Sequence, residues 1–101
     1  MIFNKLVRDR IPEIIADEGG KPVYRVMENT EYKVSLEKKL DEEVSEYHES
    51  KKLEELADIL EVVYALCKTD GHSVEELQAV YQKKHEERGG FDDKIFLERK
   101  L

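Results

Sequence analysis

Asp41–Leu60 reads DEEVSEYHESKKLEELADIL. Two acid pairs stand in it at the same i, i+3 spacing, Glu43 with Glu46 and Glu55 with Asp58, the second set among Leu56, Ile59 and Leu60. Strong helix formers fill both halves, and Ser50-Lys51-Lys52 interrupts them. The pattern predicts two helices joined by a tight connection, an antiparallel hairpin. The first arm reaches back to Glu31, with Leu36, Leu40 and Tyr47 on one side; the second runs from Leu53 to Lys68 and stops at Thr69-Asp70-Gly71. At about 100° per residue from Leu36, Glu43 falls near 340°, Lys39 near 300° and Glu46 near 280°, while Glu42, near 240°, reads as a solvated helix charge. Counted from Leu53, the residues Glu54, Glu61 and Lys68 mark a solvent stripe, whereas Asp58 and Glu55, at about 140° and 200°, share a side with Val62 and Leu66. Four acids thus sit on inward or flanking faces of consecutive helices.

Gathering carboxylates in a low dielectric is costly, because like charges repel and each loses its hydration. Lys39 can reach part of the group but cannot neutralise four acids. A hard divalent cation can: Mg²⁺ takes oxygen ligands, keeps several waters and commonly bridges to phosphate oxygens. The metal candidates are therefore Glu43, Glu46, Glu55 and Asp58, with Mn²⁺ an admissible substitute for Mg²⁺. The competing reading makes Glu46 and Glu55 flank charges on a very acidic protein.

Working outward, Pro12 suits the first turn of a short helix over Pro12 to Glu18, closed by Gly19-Gly20. Val23, Tyr24 and Val26 give Lys21 to Met27 the composition of a short strand, and Lys94-Ile95-Phe96-Leu97 supplies a second; the expectation is a small two-stranded β element formed by 22–27 and 94–98. Ser73 with Glu76 forms a capping box that opens a helix reaching Arg88, ended by Gly89-Gly90. The fold class is mainly α, a helical hairpin plus further helices, in one domain spanning 1–101.

Charged residues make up 41% of the chain and the net charge is -7, which disfavours wrapping a nucleic-acid polymer. The longest apolar stretch, Ile59 to Cys67, is broken by Glu61 and is too short to span a bilayer. The N-terminal MIFNKLVRDR lacks the apolar core of a secretory signal, and the single Cys67 has no disulfide partner within the chain, so a cytoplasmic setting is expected. Cys67 reads as a small hydrophobe. His48, His72 and His85 lack the spacing of a histidine metal site, and Tyr47, Tyr64 and Tyr81 read as core packing. The second hairpin helix is apolar all round except for its solvent stripe, which calls for cover. A homodimer or a dimer of dimers would provide it.

Glu42-Glu43-Val44-Ser45-Glu46 followed by Glu55-Leu56-Ala57-Asp58 matches EExxE joined to ExxD on the next helix. In this the chain resembles the MazG-like all-α nucleotide pyrophosphohydrolases, a superfamily that includes dimeric dUTPases and phosphoribosyl-ATP pyrophosphohydrolase. Its flanks, Asn4-Lys5-Leu6-Val7-Arg8-Asp9-Arg10-Ile11-Pro12 and Glu87-Arg88-Gly89-Gly90-Phe91 with Lys94-Ile95-Phe96-Leu97, are similar to a small phosphoribosyl-ATP pyrophosphohydrolase-like subgroup. The gap between Glu46 and Glu55 is shorter than in many MazG-like proteins, so the connection contributes little to a base pocket. The resemblance implies that Glu43, Glu46, Glu55 and Asp58 ligate Mg²⁺, that a nucleoside triphosphate or phosphoribosyl-ATP-like nucleotide is cut to the monophosphate and pyrophosphate, and that subunits associate through their helices. Glu46 is the candidate general base. Lys5, Arg8 and Arg10 near the start, and Lys84 and Arg88 before the glycine pair, are the candidate phosphate contacts. For Arg8 the alternative is a local ion pair with Asp9, and for Gly89-Gly90 a plain helix cap in place of an anion-binding turn. Two other classes fit the same acids: a nucleotide- or metal-binding regulator without turnover, and an acidic helical interaction module.

Overall fold

The computed structural model describes residues 1–101 as four helices: α1, Ile11–Asp17; α2, Asn29–Ser50; α3, Leu53–Thr69; and α4, Val74–Arg88. Each boundary has a local cause. Pro12 lies in the first turn of α1, and Gly19, at φ 88°, turns the chain out of it. Helix α2 ends where Lys51 adopts the left-handed conformation at φ 59° and its N–H donates to the Tyr47 carbonyl. At the start of α4 the capping box is complete: Glu76 N–H donates to Ser73 Oγ at 3.1 Å, and Ser73 N–H to Glu76 Oε1 at 3.2 Å. Gly89, at φ 79°, is the C-cap of α4, with its N–H on the His85 carbonyl, so the cap function of this glycine is accounted for.

Because Lys51 and Lys52 alone separate them, α2 and α3 pack along one another as the expected hairpin. Lys33 Nζ and Asp70 Oδ1, 2.7 Å apart, join its open end. Helix α4 packs on α3 and not on α2, with the Cys67 thiol donating to the Ser73 carbonyl at the corner between them. Helix α1 packs on no other helix. Only three residues are buried: Leu36 on α2 and Val62 on α3, which form the apolar seam of the hairpin, and Glu43.

No strand forms. Val23 and Val26 are exposed, as are Ile95, Phe96 and Leu97, and the two segments do not pair. Residues 22–27 are instead tied to α2 by a two-bond contact in which Arg25 Nη1 and Nη2 donate to the Glu31 carboxylate at 2.6 and 2.8 Å. The expected β element is therefore corrected to irregular chain, with Lys94 at φ 59°. β-Propensity reports how well a side chain fits a pleated, half-covered surface, and a two-stranded ribbon with no packing face is marginal at best.

Candidate metal centre

The hairpin turns its acids toward one another. On α2, Glu42, Glu43 and Glu46 have carboxylate oxygens within 4.8 Å of each other; across the seam, Glu43, Glu55 and Asp58 do the same. Glu43 belongs to both groups. It is 6% exposed, and its Oε2 is buried without a hydrogen-bond partner. Burial raises its pKa above the usual carboxylate range, a shared hydrogen bond and repulsion from Glu46 raise it further, and Lys39 partly opposes them.

Lys39 Nζ stands 3.4 Å from Glu42 Oε1 and 3.4 Å from Glu43 Oε1, the i, i+3 and i, i+4 contacts that a helix face provides. Glu55 lies in the first turn of α3, where the helix dipole favours an anion, and accepts a hydrogen bond from Ser50 Oγ at 3.3 Å. The same hydroxyl accepts from the Lys52 N–H at 3.2 Å, which fastens the connection beside the site. Asp58 Oδ1 is 2.7 Å from Arg8 Nη2. Arg8 thus reaches across the fold to a cluster acid and does not pair with Asp9.

Five carboxylates face two cations, Lys39 and Arg8, so the cluster retains net negative charge. All the donors are oxygens, the set a hard divalent cation prefers. The orphaned Glu43 Oε2 is the atom such an ion would satisfy, and the residues present fit Mg²⁺ or Mn²⁺.

Of the four metal candidates read from the sequence, Glu43 meets Glu46 along α2 and meets Glu55 and Asp58 across the seam, in two groups that share Glu43 alone among the four. Glu42, expected as a solvated charge, keeps its side chain 39% exposed but shares the group with Glu43 and Glu46. Its signal was on the helical wheel: it lies only about 40° from Glu46, on the flank of the apolar stripe where the whole cluster sits. Of the phosphate candidates, Arg8 touches the cluster, and Lys5 lines a recess beside it. Arg10 pairs with Glu13. Lys84 and Arg88 are exposed on α4 and pair with no cluster acid. His72 joins the cap of α4 through Glu76, at 3.0 Å.

No family model matches the chain. A stretch of 42 residues is 55% identical to an uncharacterized protein of Mycolicibacterium smegmatis, covering 42% of this chain and 43% of that protein. The match therefore spans less than half the length of that relative. No solved structure matches.

Proposed function

We propose that the protein is a Mg²⁺-dependent nucleotide pyrophosphohydrolase, converting a nucleoside triphosphate or phosphoribosyl-ATP-like nucleotide to the monophosphate and pyrophosphate. The observation that carries this reading is Glu43: a carboxylate 6% exposed, with one oxygen unpartnered, amid four other acids. Lys39 meets only one Glu43 oxygen, and leaving the other buried and unpaired is costly. The EExxE and ExxD resemblance supplies the reaction.

Glu43, Glu46, Glu55 and Asp58 hold the ion, with Glu42 at the edge of the set. Such an ion, when bound, would supply charge to neutralise phosphate oxygens and to make a water more acidic. Glu46 would accept the proton of the water that attacks the α-phosphorus, as the bond from this phosphorus to the bridging oxygen breaks and pyrophosphate leaves with the bond's electron pair. Arg8, tethered to Asp58, can turn its remaining N–H groups to a phosphate oxygen. The same reading includes association of copies through their helices in a cytoplasmic setting. What the structure itself states is narrower: no helix is long and apolar enough to cross a membrane.

The test is pyrophosphate release from a panel of canonical and modified nucleotides, with Mg²⁺ and with EDTA, in the wild type and in Glu55→Gln. Turnover that needs Mg²⁺ and falls at least a hundredfold in Glu55→Gln, with the helical circular-dichroism signal retained, is expected. Metal-stabilised protein without turnover on any nucleotide replaces the enzyme with a regulator. A melting temperature indifferent to Mg²⁺ and Mn²⁺ leaves only an interaction module.

A further inference from the structure

Beyond α4, four large apolar side chains fall within seven residues, Phe91, Ile95, Phe96 and Leu97, and each is between 80% and 97% exposed. Single exposed apolar residues are ordinary, but a run of this density marks a surface made for contact. The run is set in place by its backbone. Gly89 caps α4 at φ 79°, and the Lys94 N–H donates to the Phe91 carbonyl at 3.1 Å, closing a turn in which Lys94 itself stands at φ 59°. A formed turn thus presents the run, and nothing in the chain covers it.

The same chain holds an uncovered face of matching chemistry. On α3, Leu53, Leu56 and Leu60 are exposed, and the exposed acids Glu54 and Glu61 flank them, at about 100° and 80° from Leu53. Neither acid pairs with a base. Residues 94–101 carry the opposite charge: Lys94, Arg99 and Lys100 against the single acid Glu98, in a chain of net charge -7. None of these three bases pairs with a carboxylate. The two uncovered apolar surfaces are therefore edged by opposite signs, acidic on α3 and basic beyond α4.

Their sizes agree as well. Phe91 and Phe96 alone bring about 300–500 Å² toward the about 800 Å² per partner of a standard interface. Residues 95–101 can reach at most about 25 Å, whereas Leu53 to Leu60 spans about 10 Å along α3, so one such segment suffices for the whole leucine face.

We propose that residues 91–101 of one copy lie on the leucine face of α3 in a second copy, with Lys94, Arg99 and Lys100 set against Glu54 and Glu61. One sequence supplies both halves, so a second copy is the occupant that leaves neither uncovered. The exchange is reciprocal, and a twofold pair covers both runs and both faces at once. This arm adds to helix-to-helix association a contact made by irregular chain. It is independent of the chemistry at the acid cluster, which faces the other side of α3.

Sedimentation of the full chain across a range of concentrations, with circular dichroism of each variant, tests it. The wild type is expected to associate. Ile95→Glu with Phe96→Glu is expected to weaken association roughly a hundredfold with the helical signal retained, since both side chains are exposed in the single chain. Glu54→Lys with Glu61→Lys should weaken it about tenfold, and adding Lys94→Glu with Lys100→Glu should restore it, a rescue that requires these two surfaces to meet. Association unchanged in Ile95→Glu with Phe96→Glu overturns the proposal and leaves the helices to assemble alone. Weakening without rescue by the reversed charges overturns the assignment to α3 and moves the run to another surface of the second copy. A wild type that stays monomeric at every concentration overturns it too, whether the run then folds onto its own α3 or serves another protein.

Discussion

Glu43 is where the energetics of this protein concentrate. Its pKa is raised, so the folded state holds a proton there more tightly than the unfolded chain does. Stability from this group is therefore present at low pH and is lost as pH climbs from the usual carboxylate range through the raised value. In EDTA at neutral pH, Glu43→Gln is expected to melt above the wild type, because the amide removes the buried charge at constant shape and can donate to Glu46. An advantage of about 1 kcal/mol corresponds to roughly 4–8 °C in a domain of this size, and it should shrink toward zero as pH falls to about 4.5, the unshifted value. Saturating Mg²⁺ should reverse the order by stabilising only the wild type. A pH-independent gap between the two melting curves would remove Glu43 as the strained member. Arg8→Ala makes the opposite contrast. With Arg8 58% and Asp58 38% exposed, their pair contributes little to stability, under about 1 kcal/mol. Loss of activity in Arg8→Ala with an unchanged melting temperature would assign Arg8 to substrate binding.

The helices differ in what holds them, and this governs how much of each the sequence announced. Helix α4 is exposed along most of its length and leans on its start signal, the reciprocal bonds of Ser73 and Glu76. Ser73→Ala should cost about 1 kcal/mol, read as a lower thermal midpoint with earlier loss of helical signal. The Glu76 carboxyl, held below its ordinary pKa by His72 and by the cap, adds stability above the usual carboxylate range that fades as pH falls through its lowered value. Such signals are local, so the capping box and the Arg88 end of α4 were legible, and the hairpin arms came within two residues of their ends. The clustering of Glu43 with Glu46, and of Glu43 with Glu55 and Asp58, was legible for a related reason: i, i+3 spacing fixes a helix face, and a two-residue connection fixes which faces meet. What failed was non-local. Whether Val23 and Ile95 find ladder partners depends on where α4 carries the tail, which no window of sequence contains. Glu42 joins the cluster although it lies off the stripe of Leu36, because the acids gather at that stripe's edge.

Helix α3 is turned inside out for a lone chain. Val62, Glu55 and Asp58 face α2, while Leu53, Leu56 and Leu60, within about 60° of one another on the opposite face, stand exposed. The molecule measures 62 × 32 × 22 Å with a radius of gyration of 17.9 Å, against about 13 Å for a compact chain of this length. Its accessible surface is 9406 Å², roughly 3,500 Å² more than a folded monomer of this mass presents. A standard interface covers about 800 Å² per partner, so an obligate, helix-mediated assembly is the economical account of the excess. In it the leucine face of α3 would meet another copy while the acids stay on the inner face. Sedimentation equilibrium at micromolar concentration is expected to give two or four times 11.9 kDa, with a melting temperature that rises with concentration. Leu56→Glu with Leu60→Glu should yield monomer and lower the midpoint, since each leucine withdrawn from an apolar interface forfeits about 1.5–3 kcal/mol. The acids lie on the other side of α3, so a monomeric variant that still folds should bind Mg²⁺ in the titration that detects it in the wild type. A wild type that sediments at 11.9 kDa and melts independently of concentration would show that the leucine face needs no second copy.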